Sequence, residues 1–162
     1  MAGTAYRGPA RTLLLRAKAG RRELLRPLGE RLARLAEVAG LGGRGVLVIA
    51  VPSHLLARWR RGFDPAREIA GPVAARLGCP LHPGLVRRLP ALRASKGLSA
   101  SDRRAAVENA FRAPRPLPGA RVLLVDDVLT TGATLSACAR ALRAAGAAEV
   151  SGAVWARTPR GL

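Results

Sequence analysis

The stretch VLLVDDVLTTGAT, Val122 to Thr134, decides how the rest of the chain is read. It opens on a short apolar run, Val122 to Val125, which reads as a buried strand. Whatever follows Val125 is then expected at the carboxyl edge of a parallel sheet, where open α/β sheets bind their ligands. Two acids come first, Asp126 and Asp127. Ionised carboxylates only accept hydrogen bonds, so an adjacent pair suits a pair of donors such as the vicinal hydroxyls of a ribose. Val128 and Leu129 lead on to Thr130, Thr131, Gly132, Ala133 and Thr134. Small residues let backbone N–H groups approach an anion, hydroxyls add donors, and the helix that follows presents its positive end. An acid pair followed by a phosphate cradle matches a sugar phosphate, with hydroxyls at one end and a monophosphate at the other. Helix capping alone accounts for the Thr/Gly run, but not for two adjacent acids in front of it.

Working outward, Leu135 to Ala145 reads as the helix after the cradle, ended by Gly146. Val150 to Trp155 reads as a last strand. Upstream, VLVIAV (Val46 to Val51) is a second apolar, β-branched run, closed by Pro52. Pro65 to Leu77 reads as a helix with proline in its first turn. Leu24, Leu25, Leu28, Leu32 and Leu35 recur at helical spacing and predict a helix over Glu23 to Ala39, stopped by glycines. Leu85 to Leu89 reads as a further strand, Pro90 to Ala100 as a long loop, and Asp102 to Asn109 as a short helix. Pro114, Pro116 and Pro118 read as a linker. Strands alternating with helices predict an α/β fold, a parallel β-sheet flanked by helices in the Rossmann-like manner. Residues 1–10 are expected to be a flexible arm, and residues 11–162 a single domain.

Composition narrows the ligand. The 162 residues carry a formal net charge of +18, which favours polyanions: nucleic acid, an acidic membrane surface or phosphorylated metabolites. Of the 28 basic residues only Lys18 and Lys96 are lysines, and the arginine fork is suited to phosphate. Codon bias gives the same ratio. Aromatics are 3%, so the core must come from Leu, Val and Ala. Cys79 and Cys138 form no C-x-x-C pair and are expected to be small core residues. No apolar run approaches the roughly 20 residues of a membrane-spanning helix, and no signal peptide is legible, so a cytoplasmic protein is expected.

The same words resemble a known family. VLLVDDVLTTGAT is similar to the phosphoribosyl pyrophosphate signature of type I phosphoribosyltransferases. YRGPARTLLLRAKAGRRELLRPLGERLA, VPSHLLARWRRGFDPAREIA, KGLSASDRRAAVENAFRA and VLLVDDVLTTGATLSACARALRAAGAAEV follow in the order of the ComF competence family, from Tyr6 onward. Members often begin with a four-cysteine zinc module, whereas no cysteine precedes Cys79 here. They usually have Asn after RRGF; here it is Asp64.

The resemblance implies a type I phosphoribosyltransferase-like fold and a phosphoribosyl pyrophosphate site. Asp126 and Asp127 hold the ribose hydroxyls and, through water, Mg²⁺. Val128 to Thr134 cradles the 5-phosphate. The loop after the first strand receives pyrophosphate, with Arg58, Arg60 and Arg61 as donors and Ser53 assisting. The loop from Pro90 to Arg104, with Arg93, Lys96, Arg103 and Arg104, resembles one that closes over the reacting centre. The implied catalytic set is Asp126, Asp127, Lys96 and Arg61, and the acceptor is unnamed. A solvated basic face would explain the arginines equally well. Trp59 is expected to cover apolar surface rather than to stack on a base. His54 and His82 are expected at the surface or in packing.

A rival reading keeps the fold without turnover, as a nucleic-acid-associated module of DNA uptake. Its partners would be single-stranded DNA or DNA-uptake proteins. The oligomeric state is open, a homodimer included. VLLVDD also opens receiver domains, but those need a later phospho-acceptor Asp, and no Asp follows Asp127.

Overall fold

Val122 to Val125 is buried on both faces of the sheet, as a parallel strand between helices requires. In the computed structural model, which describes residues 1–53, 55–89 and 110–159, this run lies within the long strand β5, Arg121–Leu129. The other main strands are β1 (Ala2–Ala5), β2 (Val46–Ala50) and β6 (Glu149–Arg157). They form one all-parallel sheet in the order β1-β6-β5-β2. The fold class expected from the sequence is therefore the observed one.

Helices cover both faces. On one side lie α1 (Gly8–Lys18), α2 (Leu25–Val38) and α4 (Pro65–Leu77). Their buried Leu14, Leu25, Leu28, Leu32, Ile69 and Val73 pack with Leu123 and Val125 of β5. On the other side lies α5 (Ala133–Ala144), whose Ala137, Cys138 and Leu142 pack with Val122 and Leu124. A short helix α3 (Leu55–Arg61) follows β2. A small antiparallel ladder pairs β3 (Arg87–Arg88) with β4 (Phe111–Arg112) and closes over the second core.

Local signals explain the best-defined boundaries. Asp64 caps α4 by accepting from the Ala66 N–H at 3.2 Å, Pro65 occupies the first turn, and Gly78 ends the helix at φ +62. The helix expected from Glu23 begins instead at Leu25, because Arg22–Leu24 forms a separate 3-10 turn.

Four further expectations need correction. Residues 1–10, expected to be a loose arm, contain β1 and the start of α1. Edge pairing to β6, Ala2↔Val154 and Thr4↔Ala156, organises a segment with no apolar pattern of its own. Strand β5 does not end at Val125. It continues through both acids to Leu129, because β6 goes on pairing with it at Asp126↔Val154, Val128↔Ala156 and Leu129↔Arg157. The segment after β2, expected to be a loop, contains α3. The strand expected over Leu85 to Leu89 shrinks to the two residues of β3. The loop from Pro90, apart from its neighbours, and the helix expected over Asp102 to Asn109 lie outside the described residues.

The contact between α2 and α4 is tight enough to be tested at glycine. A Cβ on Gly29 would meet the Ile69 carbonyl oxygen at 2.8 Å, whereas one on Gly71 in α4 meets nothing within 4 Å. Alanine ordinarily favours a helix over glycine by about 0.5–1 kcal/mol. Gly71→Ala should therefore raise the thermal midpoint. Gly29→Ala should lower stability by about 1–3 kcal/mol, because backbone cannot yield as a side chain can. Equal shifts of the same sign in thermal melts would count against this packing.

Candidate functional site

At the carboxyl edge of the sheet, β2 ends while β5 runs on. Ala50 pairs with Val125, and the Val51 N–H donates to the Val125 carbonyl at 2.8 Å. Beyond that rung, Asp126–Leu129 is paired with β6. Turn residues Thr130 and Thr131 follow, and Gly132, at φ +83, opens α5. The Thr131 hydroxyl accepts from the Ala133 N–H at 3.3 Å, so the turn that opens α5 is tied to its own side chain. The acid pair and the Thr130–Thr134 segment thus occupy one edge, as the motif requires.

The two acids are placed differently. Successive residues of a strand point to opposite faces. Asp127 follows the row of Leu123 and Val125, toward α1, α2 and α4. Asp126 follows Val122 and Leu124, toward α5. Asp127 is not free: Lys18 Nζ, at the end of α1, lies 2.7 Å from its Oδ2. Asp126 accepts the Asp127 N–H on Oδ1 at 2.8 Å.

Burial, and then the neighbouring Asp127 charge, raise the Asp126 carboxyl from 3.8 to about 7, with Asp64 adding a little. The Asp127 N–H and Lys18 oppose the rise. Burial and then Asp126 push the Cys138 thiol up to about 12, against the Arg88 guanidinium, so it behaves as an inert core thiol.

The basic segment lies beside this edge. Arg58 and Arg60 are exposed on α3, and Arg61 is half-buried with its Nε lacking a hydrogen-bond partner among the described residues. Trp59 is 81% exposed, so it does not cover apolar surface as expected. Ser53 is already engaged: its N–H and hydroxyl both donate to Asp64 Oδ2, at 3.4 and 3.0 Å. Asp64, where the family usually has Asn, thereby joins the end of β2 to the start of α4. A cleft of about 1000 Å³ opens here, lined by residues that include Ser53, Arg58, Trp59, Asp64, Arg87 and Arg88. His82 is exposed, with its backbone N–H donated to Val48. Lys96, Arg93, Arg103, Arg104 and His54 lie outside the described residues.

Lys18 is a neighbour of the acid pair that the motif reading does not place there. It stood out only as one of two lysines, and nothing local in RTLLLRAK points to Asp127. For a divalent ion, no three His, Cys, Asp or Glu side chains gather among the described residues. Asp126 and Asp127 are hard oxygen donors suited to Mg²⁺, but they leave opposite faces of β5, so the fit is to an ion whose other ligands are ligand phosphates and water.

The phosphoribosyl transferase domain family matches residues 64–162, which span α4, the cradle and β6. The chain belongs to that family. Curated relatives include the DNA utilization protein YhgH of Salmonella typhi, 37% identical over 108 residues, 67% of this chain and 47% of its own. Competence protein F of Haemophilus influenzae is 37% identical over 111 residues, 67% of this chain and 48% of its own. With these relatives the chain is ComF-type and phosphoribosyltransferase-like, as its motif order implied. It spans about half the length of the curated relatives it matches. Among solved structures, the glutamine phosphoribosylpyrophosphate amidotransferase from B. subtilis, complexed with ADP and GMP, superposes with TM-score 0.55 at 26% identity. The superposition covers 80% of this chain and 25% of that one. Among the described residues, no helix is long and apolar enough to cross a membrane.

The raised Asp126 value has a definite sign. Between pH 3.8 and about 7 the folded chain keeps a proton that the unfolded chain has lost, so stability falls as pH rises through that window. Asp126→Asn cannot ionise and should gain on the parent protein over the same range, by on the order of 1–3 kcal/mol. Thermal melts at pH 4.5 and 8 should show a larger advantage for the variant at pH 8. A difference that does not change with pH would overturn the assignment.

Proposed function

We propose that the carboxyl edge of this sheet binds phosphoribosyl pyrophosphate, or a closely related sugar phosphate, and transfers the phosphoribosyl group to an acceptor. One observation carries the reading. The ends of β2 and β5 lie side by side, so an acid pair, a small-residue cradle and an arginine-bearing helix share one edge. The family match supports it.

In this reading Asp126 and Asp127 accept the ribose hydroxyls, and Thr130 to Thr134 receives the 5-phosphate at the start of α5. Arg58, Arg60 and Arg61 attract pyrophosphate from α3, and Ser53 acts through Asp64. Lys96 belongs to the catalytic set by motif order alone. Asp126 and Asp127 would hold Mg²⁺, and when bound the ion would supply neutralisation of phosphate charge. The protein's own work is positioning and charge stabilisation while the C1–O bond breaks and its electron pair leaves with pyrophosphate. A cytoplasmic setting and a homodimer are compatible with this reading.

A second reading is favoured by Trp59, 81% exposed between Arg58 and Arg60 on a chain of net charge +18. An aromatic among cations offers a stacking surface for single-stranded DNA, and the names of the relatives concern DNA utilization and competence. DNA-uptake proteins would be its other partners.

Calorimetry with phosphoribosyl pyrophosphate and Mg²⁺ tests the first reading, followed by an acceptor screen for pyrophosphate release. Gly132→Val should abolish binding. A side chain at φ +83 costs about 1–3 kcal/mol and blocks backbone approach to the phosphate. Unchanged affinity in a folded variant would sink the cradle assignment. Labelled single-stranded DNA should bind weakly at low salt and release steeply as salt rises. No binding at low salt would remove the second reading.

A further inference from the structure

Lys18 belongs to none of the recognised motif roles, and it lies outside the matched residues 64–162. It sits in the last turn of α1, and its ammonium is 2.7 Å from Asp127 Oδ2. The two side chains are 31% and 13% exposed, so the pair is sheltered yet reachable. We propose that Lys18 is a ribose-end binding residue, which counters the Asp127 charge and adds its ammonium to the sugar's hydroxyl contacts. The inference rests on the sugar-phosphate reading above.

Two carboxylates beside a phosphate cradle repel the anion that the cradle attracts. A cation against one of them removes part of that repulsion without removing the acceptor. The residue type matters. An arginine fork would take both oxygens of Asp127. The Lys18 contact is to Oδ2, which leaves Oδ1 for a hydroxyl. The ammonium also has three donors, of which Asp127 uses one, and a ribose oxygen can take another. Lys18 stands in a chain where two of the 28 basic residues are lysines. It also fixes where α1 ends relative to the site, so the N-terminal segment supplies part of the ribose end while residues 130–134 supply the phosphate end.

The proposal separates two ligands. Ribose 5-phosphate would use both ends of the site, and inorganic phosphate only the cradle. Calorimetry on the full chain with EDTA present, so that no divalent ion contributes, should find ribose 5-phosphate bound more tightly than inorganic phosphate. Lys18→Met should weaken ribose 5-phosphate by about ten- to a hundredfold, the range for a hydrogen bond to a charged group. Inorganic phosphate should stay within about twofold. Arg16→Met removes the same charge from an exposed position on the same helix and should leave both affinities near the parent values.

If Lys18→Met leaves ribose 5-phosphate unchanged, the inference fails while the sugar-phosphate reading stands. If it weakens both ligands alike, the lysine acts through the fold or the overall field, and the inference also fails. If the parent protein binds neither ribose 5-phosphate nor phosphoribosyl pyrophosphate, the underlying reading itself is wrong.

Discussion

The hydrogen bond from the Val51 N–H to the Val125 carbonyl is the last rung between β2 and β5, and the rest of the site depends on where it falls. The ladder below it, Val46↔Arg121 to Ala50↔Val125, has no offset that could slide without moving buried valines to the wrong face. Above it the two chains separate. β2 gives way to Pro52 and Ser53, while β5 continues along β6. The parting of two paired strands leaves room for a ligand at the sheet edge. Ser53 then turns toward Asp64, which caps α4 on its other oxygen. One carboxylate therefore sets both the exit of β2 and the entry of α4, the helix that packs against α2.

The acid pair gains its character from the same continuation of β5. Had the strand ended at Val125, Asp126 and Asp127 would share a loop and a solvent. Held in an extended strand, they face different layers. Asp127 meets the end of α1 and is matched by Lys18. Asp126 faces α5, with Cys138 near enough to be influenced by its charge, and is held by the Asp127 N–H. Burial, with the Asp127 charge beside it, pushes Asp126 toward neutrality against the pull of Lys18 and the Asp127 N–H. Two chemically identical neighbours thus differ because the strand's period is two.

Much of this was legible in the sequence where the determinants are local. Pro65 to Leu77 is legible from its first-turn proline, and the residues that flank it, the Asp64 cap and Gly78, fix its two ends. The turn at Thr130 to Thr134 before α5 is legible because small and hydroxyl residues gather there, with Gly132 at positive φ and the Thr131 hydroxyl serving its own turn. The misses depend on distant partners. AGTA carries no strand pattern, and β6 alone makes it β1. The end of β5 is set by how far β6 accompanies it, not by the apolar run. Trp59 read as a residue that covers apolar surface, yet α3 leaves it exposed. Lys18 meets Asp127 only through the packing of α1 on the sheet, and no spacing rule connects the two.

The charge distribution completes the physical picture. A chain of net charge +18 would attract any polyanion, yet carboxylates stand where the proposed ligand's sugar would lie. Affinity and selectivity are then assigned to different groups. In the sugar-phosphate reading, backbone donors at α5 and the arginines of α3 attract phosphate without regard to what carries it. The acid pair penalises a phosphate that arrives without hydroxyls to donate, since an unpaired carboxylate beside an anion is unfavourable. The internal sugars of a nucleic-acid backbone offer no vicinal hydroxyl pair, so a strand attracted by the arginines gains nothing at Asp126 and Asp127. Within the sugar-phosphate reading, the acids therefore reserve the cradle for a free ribose phosphate, while polyanions held by long-range charge are confined to the outer arginines and Trp59.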